Sequence, residues 1–420
     1  MDEIGFEASA GRAGLKALPQ TPAVFALMGA EKTDEPYVGR TPTLRGRLER
    51  LLVPSDKHPK RLQLAGRVRR IRWCATGSDF ESLLAQFSLL SEFFGAERAV
   101  ERMHLRPAIF VRYLGGNRYP RVAVTTRPST REAQWSYGPF ASRAAAERTV
   151  DETLKLFSLR RCIEDLAPDP AHPGCVYSEM KMCLAPCFQG CTDERYAEEA
   201  QAVERFLSTR GESRLVELRT ARDAASEQLE FEQAAALHTQ VERVEAVRAL
   251  TPELVRPLNQ QRSLILQASA EPGTVSLFLF EDGQLRGPAN FSTLGMRIQN
   301  EQSGSTSLFL APMALAPVVE ESANSVEGNN SPSDDTHEPP KAKRGMLEAR
   351  LDELLATLAA ASSATAPQRQ GHLALLKRWY YRPEAKRVGE IFFPNADGQW
   401  PARLILRGIG RVAAKSFAGQ

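Results

Sequence analysis

Five of the six cysteines fall within thirty residues: Cys162, Cys175, Cys183, Cys187 and Cys191, with Cys74 alone elsewhere. The intervals between the five are twelve, seven, three and three residues. Cysteine is often buried for packing alone. Here the surrounding run, HPGCVYSEMKMCLAPCFQGC, carries Pro, Gly and charge, and a loop of that composition cannot bury five thiols in a core. The pattern points to a metal or cluster site. Four thiolates can hold Zn²⁺ or a [4Fe–4S] cluster. Zinc ribbons favour paired knuckles, whereas one close pair, Cys183 and Cys187, is joined here by two distant partners. That lopsidedness fits a cluster better. His172 is a substitute ligand on paper, and a solvated loop histidine is the simpler reading.

Composition narrows the setting. With 420 residues, 42% hydrophobic and 25% charged, the chain is expected to form two to four domains with real cores. A net charge of +3 does not by itself mark a nucleic-acid binder, so local clustering must decide. No stretch reads as a membrane span: the run from Gln302 to Val319 is broken by Pro312 and Pro317. The N-terminus has no apolar signal region. A cytoplasmic chain is expected, with thiols reduced or bound to metal.

Residues 1–20 read as a loose leader. Ala23 to Met28 and Tyr37 to Gly39 predict a β-hairpin, Leu44 to Leu52 a helix and Arg67 to Ala75 a strand. Asp79 to Phe94 carries Phe80, Leu83, Leu84, Phe87, Leu90 and Phe94 at helical spacing. Two further strands, 108–111 and 122–124, flank a Gly115-Gly116-Asn117 turn. Helices are expected over 141–157 and 193–210, and an α-hairpin over 212–248. Strands return over 264–291. Ser322 to Lys343 is polar and almost free of apolar residues, the composition of a disordered linker. Helices near 346–360 and 371–380 follow.

Tyr137-Gly138-Pro139-Phe140, a helix, Leu159-Arg160-Arg161-Cys162 and then Cys175-x7-Cys183-Leu184-Ala185-Pro186-Cys187 resemble the C subunit of the bacterial UvrABC excinuclease. The likeness runs from about residue 18 to 250, with a weaker echo to about 395. It implies that Cys162, Cys175, Cys183 and Cys187 ligate a [4Fe–4S] cluster, with zinc the alternative and Cys191 outside the set. Pro22-Ala23-Val24-Phe25, Tyr37-Val38-Gly39-Arg40 and Thr43-Leu44-Arg45-Gly46-Arg47 resemble the GIY-YIG nuclease module. In such a module a tyrosine beside a metal helps activate water, an arginine neutralises the phosphorus oxygens and a glutamate holds Mg²⁺ or Mn²⁺.

Two departures weaken that site. Phe25 stands where the family has its first tyrosine, and Gln86 where it has the metal-binding glutamate. A neutral amide holds a hard dication poorly. Glu81 cannot replace it, because five residues at 100° each place it about 140° around the helix. Tyr37, Arg40 and Arg47 remain as vestigial site residues, and a divalent metal is expected only if the site is active.

Leu229-Glu230-Phe231-Glu232-Gln233-Ala234-Ala235 resembles the UVR motif. Leu218, Ala221, Ala225 and Leu229 predict one packing stripe, and Ala234, Leu237, Val241 and Val244 the other. The resemblance implies that Leu229, Phe231 and Ala235 meet a UvrB-like partner. The family's RNase H-like and helix-hairpin-helix domains find no counterpart in these 420 residues. Residues 40–72 carry eleven Lys and Arg against Glu49 and Asp56, +9 in all, which predicts a phosphate-binding surface through Arg45, Arg67, Arg69 and Arg70, with Lys57, Lys60 and Arg61 between. Residues 402–420 add four cations and no acid, either a frayed tail or a second backbone contact.

The expected architecture is multi-domain α+β. A small mixed-sheet GIY-YIG-like module spans 18–100, a cysteine-cluster domain 101–198 and a UVR-like hairpin 199–250. A strand-rich region spans 255–320, a linker 321–345 and an α/β remnant 346–420. The expected function is DNA binding in nucleotide excision repair with a degenerate nuclease site and no membrane contact. Two alternatives stand beside it: an active single-incision endonuclease, and a metal-containing adaptor unrelated to repair.

Overall fold

The computed structural model describes residues 1–31, 34–53, 64–128, 131–294, 296–299, 306–308, 340–360 and 364–418. The first unit contains β1 (Asp2–Gly5), β2 (Ala23–Met28), β3 (Tyr37–Thr41), α1 (Leu44–Leu52), β4 (Arg70–Ala75), α2 (Asp79–Phe94) and α3 (Ala96–Arg102). Its sheet order is β1-β4-β2-β3, and every pairing is antiparallel, so the sheet is not mixed as expected. The connection through α1 returns the chain to the far side of β2, running the same way as β3 and hence against β2. The leader is not loose either. β1 pairs with β4, and Phe6, Leu15 and Leu18 are buried with the residues of α1. A few well-spaced apolar anchors outweigh a Gly- and Ala-rich background.

β2 is buried along its whole length because both faces are covered. Phe25 and Leu27 pack with Leu44 and Leu48 of α1, while Val38 of β3 packs toward α2. α2 begins with two capping hydrogen bonds. Ser78 Oγ accepts from Glu81 N at 3.1 Å, and Glu81 Oε2 accepts from Gly77 N at 2.8 Å.

The middle unit holds β5 (Ile109–Tyr113), β6 (Val122–Thr125), β7 (Ser136–Phe140), α4 (Arg143–Thr153), the short α5 (Val176–Glu179), α6 (Asp193–Ser208), α7 (Glu212–Glu227), α8 (Phe231–Ala249) and β8 (Arg256–Pro257). Its antiparallel sheet has the order β6-β5-β7-β8. Tyr137, Phe140, Leu159, Tyr196, Phe206, Leu215, Val241 and Val244 share one core, so sheet, cysteine segment and hairpin base are packed together.

The last unit has β9 (Ser263–Ala268), β10 (Thr274–Glu281) and β11 (Gln284–Ser292). A ribbon of β12 (Arg297–Gln299) and β13 (Thr306–Leu308) follows, then α9 (Pro340–Ala359), α10 (Ala366–Tyr380), β14 (Glu390–Phe392) and α11 (Ala402–Ala418). Sheet order is β11-β10-β9-β14. Leu264, Leu266, Val275 and Leu277 face α9 and α11, while Ile265, Phe278 and Phe280 face α10 and, across the unit boundary, α2. Covering on both faces explains the nearly continuous apolar run of β10.

Two expectations change here. The linker over 321–345 lies outside the described residues as far as Pro339, and its end is helical. α9 starts on Pro340, whose fixed φ suits a first helical turn. The basic tail is the amphipathic α11, with Ile405, Leu406, Ile409, Val412 and Ala413 buried. Among the described residues no helix is long and apolar enough to cross a membrane.

Candidate functional site

The register of β2 against β3 sets the face that carries Phe25 and Tyr37. Phe25 lies opposite Gly39 and Leu27 opposite Tyr37. Phe25 is fully buried, and a Cβ on Gly39 would come within 2.9 Å of its ring. The Phe25 and Tyr37 rings are 6.1 Å apart. Arg47 on α1 donates from Nη2 to Tyr37 Oη at 3.4 Å, so the structure brings these two predicted residues together. Gln86 is half-buried on α2, and among the described residues no hydrogen bond joins it to either of them. Glu81 is buried in its cap, where burial raises its pKa.

Arg40 turns away from that pair to Asp79 at the start of α2, and Arg382 binds the same carboxylate at 2.6 Å. Burial pulls Asp79 upward, but the Arg382 hydrogen bond and the Arg40 charge outweigh it and hold the carboxyl below its ordinary range. Nothing local in the sequence marks Arg382, 303 residues away, as a partner.

The cysteine segment is pinned at several points. Buried Arg160 donates to Tyr119 O at 3.0 Å, to Glu164 O at 2.8 Å and to Cys162 Sγ at 3.5 Å. Tyr196 Oη accepts from Arg160 N and donates to Pro120 O. Glu199 accepts from Ser158 N at 2.6 Å, and Ser158 O accepts from Leu184 N. The L-R-R-C motif places Arg160 beside Cys162 but carries no sign that the guanidinium is buried.

Cys183 receives the Ala185 amide at 3.3 Å. Burial, reinforced by the nearby Cys162, Cys175 and Cys187, pushes its thiol up to about 11. Three further thiols thus act on Cys183, and the residue types of the four fit a thiolate-held metal or cluster. Among the described residues, however, no three His, Cys, Asp or Glu side chains form a group that could hold a metal ion. Cys191 lies beside Asp193 and Arg195 and is also near Cys187. His172 is exposed and accepts from Gly174 N through Nδ1.

The hairpin seam differs from the expected stripes. Leu215, Leu218 and Ala225 of α7 are buried with Val241, Val244 and Val247 of α8, all toward the base except Ala225. Ala221 is exposed, Leu237 is half-buried, and Leu229 and Phe231 at the tip are 72% and 65% exposed. Leu229 sits at φ 61°, in the turn itself. Among the described residues no third element packs on the tip.

Residues 108–206 match the family model of the UvrC/Cho excinuclease middle domain, and residues 212–247 match the UvrB/uvrC motif. Over these residues the chain is similar to the UvrC family. It is 27% identical over 279 residues to UvrABC system protein C of Ruminiclostridium cellulolyticum, covering 66% of this chain and 45% of the relative. Against the protein of the same name from Alcanivorax borkumensis it is 31% identical over 228 residues, 54% and 37% of the two chains. Against that of Leptospira biflexa it is 25% identical over 307 residues, 70% and 48%. The chain thus spans less than half the length of these curated relatives. No solved structure matches it.

In the folded chain the basic run 40–72 is less bare than its sequence. Arg45 bonds the Leu18 carbonyl at 2.8 Å, Arg69 bonds Gly66 O and Val68 O, and Arg70 meets Glu3 at 3.3 Å. Arg72 pairs with Glu92 at 2.6 Å. Arg67 is exposed. Lys57, Lys60 and Arg61 lie outside the described residues.

Proposed function

We propose that this chain is a UvrC-type DNA-binding protein of nucleotide excision repair whose GIY-YIG-like site does not cut. The observation that carries the reading is Phe25. It lies fully buried over Gly39, next to the surviving Tyr37–Arg47 pair, and presents no hydroxyl to a water or a metal. Gln86 adds the second loss, since an amide replaces the carboxylate expected to hold the dication. Such a site can still neutralise a phosphate through Arg47, which supports binding without incision. Cys162, Cys175, Cys183 and Cys187 would hold the [4Fe–4S] cluster, or zinc in its place, and the ion would supply folding energy to the loop. The exposed Leu229 and Phe231, with Ala235 on the next turn, would dock a UvrB-like hairpin.

Incision of damaged duplex with Mg²⁺ and a UvrB-type protein tests the reading. The native chain should show little or no nicking. Gln86→Glu with Phe25→Tyr should raise metal-dependent nicking by about a thousandfold, since Lewis-acid stabilisation supplies several kcal/mol at 1.36 kcal/mol per decade. Robust cleavage by the native chain, abolished by Arg47→Ala, would replace this reading with the active endonuclease.

A further inference from the structure

Three helices meet around an open groove of ≈ 600 Å³ at the base of the helical hairpin. Arg148 reaches it from α4, Lys155 from the turn that follows, Arg214 from α7 and Arg243 from α8. Glu152 is the single carboxylate on its lining. Lys155 pairs with Glu152 at 2.8 Å, and Arg214 with Glu217 at 3.1 Å. Arg148 and Arg243 meet no acid at ion-pair distance among the described residues. Between them lie the apolar Leu218, Val244 and Val247, with Gln240 of α8 also on the lining. This is the reverse of the basic run near the N-terminus, where Arg40, Arg70 and Arg72 each find a carboxylate.

We infer that this groove binds the phosphate backbone of a nucleic acid. The inference rests on the DNA-binding function proposed for the chain and adds a binding surface remote from the nuclease-like module. Cations on opposing walls with unpaired guanidinium groups match a line of phosphates, which guanidinium forks bind bidentately. The exposed pairs at Lys155 and Arg214 are weak enough to exchange a carboxylate for a phosphate. The four cations address phosphate oxygens, which carry no sequence information, so binding through them is independent of base sequence. The four cations span nearly a hundred residues of sequence, and only the packing of α4 against the hairpin gathers them.

The test is a salt titration of the full chain on a short DNA duplex. Arg148→Gln with Arg243→Gln should make the log–log slope shallower by about 1.8, since each neutralised phosphate contributes about 0.9. Arg98→Gln with Arg378→Gln removes the same charge from exposed positions elsewhere and should leave the slope as in the native chain. Arg148→Lys with Arg243→Lys should also keep it. An unchanged slope in the groove variant overturns the inference, as does an equal change in the control. Retained DNA slope with lost binding of poly-glutamate would assign the groove to an acidic protein segment instead. A native chain that binds no DNA at any salt would remove the DNA-binding function as well as the groove. Native binding with an unchanged variant slope removes the groove alone.

Discussion

His372 on α10 is held in a place where its charged form has no support. It is 8% exposed, its ring lies 5.3 Å from Phe87, and Nδ1 has no hydrogen-bond partner. Burial lowers its pKa to about 4. The folded chain therefore refuses a proton that the unfolded chain takes up below its ordinary value of 6.5. The contribution is fully present above that value and is lost as pH falls toward 4, by at most roughly 3 kcal/mol. Urea midpoints should drop from pH 7 to pH 4.5 in the native chain, and His372→Leu should flatten that difference. At the same scale, reading Phe25 and Gln86 as departures needs only the sequence and the resemblance, because a hydroxyl and a carboxylate are properties of single residues. The partner of Asp79 was not, because Arg382 reaches it only after the fold closes.

Among the elements, the cysteine segment carries most of the proposed chemistry on the least regular backbone. Its helical pieces are short, and Lys181, Ala185 and Gln189 take positive φ. A loop of this kind gains order from what its thiols hold. Cys183→Ala in anaerobically purified protein should remove visible absorbance and raise hydrogen exchange over 160–195, while α2 and β10 stay protected. Stoichiometric zinc without iron would leave a zinc site in place of the cluster. For the N-terminal basic run, neutralising Arg67, Arg69 and Arg70 together should reduce the salt slope of DNA binding by about 0.9 for each phosphate that is no longer held. Arg70 already shares its charge with Glu3, so the reduction should be smaller than three free arginines would give. Duplex binding measured across salt decides it.

Across the whole molecule, the first and last units are held by a common core. Phe80 packs edge-on against Phe278 at 5.2 Å and against Trp379 at 5.3 Å. Gly371 admits the Phe87 ring where a Cβ would come within 2.1 Å. At the other end of α2, a Cβ on Gly77 would lie 2.2 Å from the Ser269 carbonyl carbon and 2.4 Å from Ala268 O, both backbone atoms. Gly77→Ala must therefore push the units apart. It should lower stability by about 1–3 kcal/mol, the usual range for overpacking. Exchange should rise in α2 and β9 together, as measured by denaturant midpoint and amide hydrogen exchange.

The sequence by itself determined the local elements and the residues with chemical capacity. Apolar spacing at three and four marked α2 because a helix needs one apolar stripe whatever it packs on. The cysteine spacing, the Pro-Cys and Leu-Arg-Arg-Cys runs and the UVR turn were equally plain, since each depends on neighbours a few residues apart. Tertiary structure alone decided which charges remain free. Guanidinium groups at 40, 70 and 72 look bare in sequence and are paired in space, whereas those at 148 and 243 look scattered and converge. Tertiary structure also decided that α2 serves two units and that one face of α11 is buried. Electrostatic pairing and burial depend on distances across the fold, and those distances are unrelated to separation along the chain.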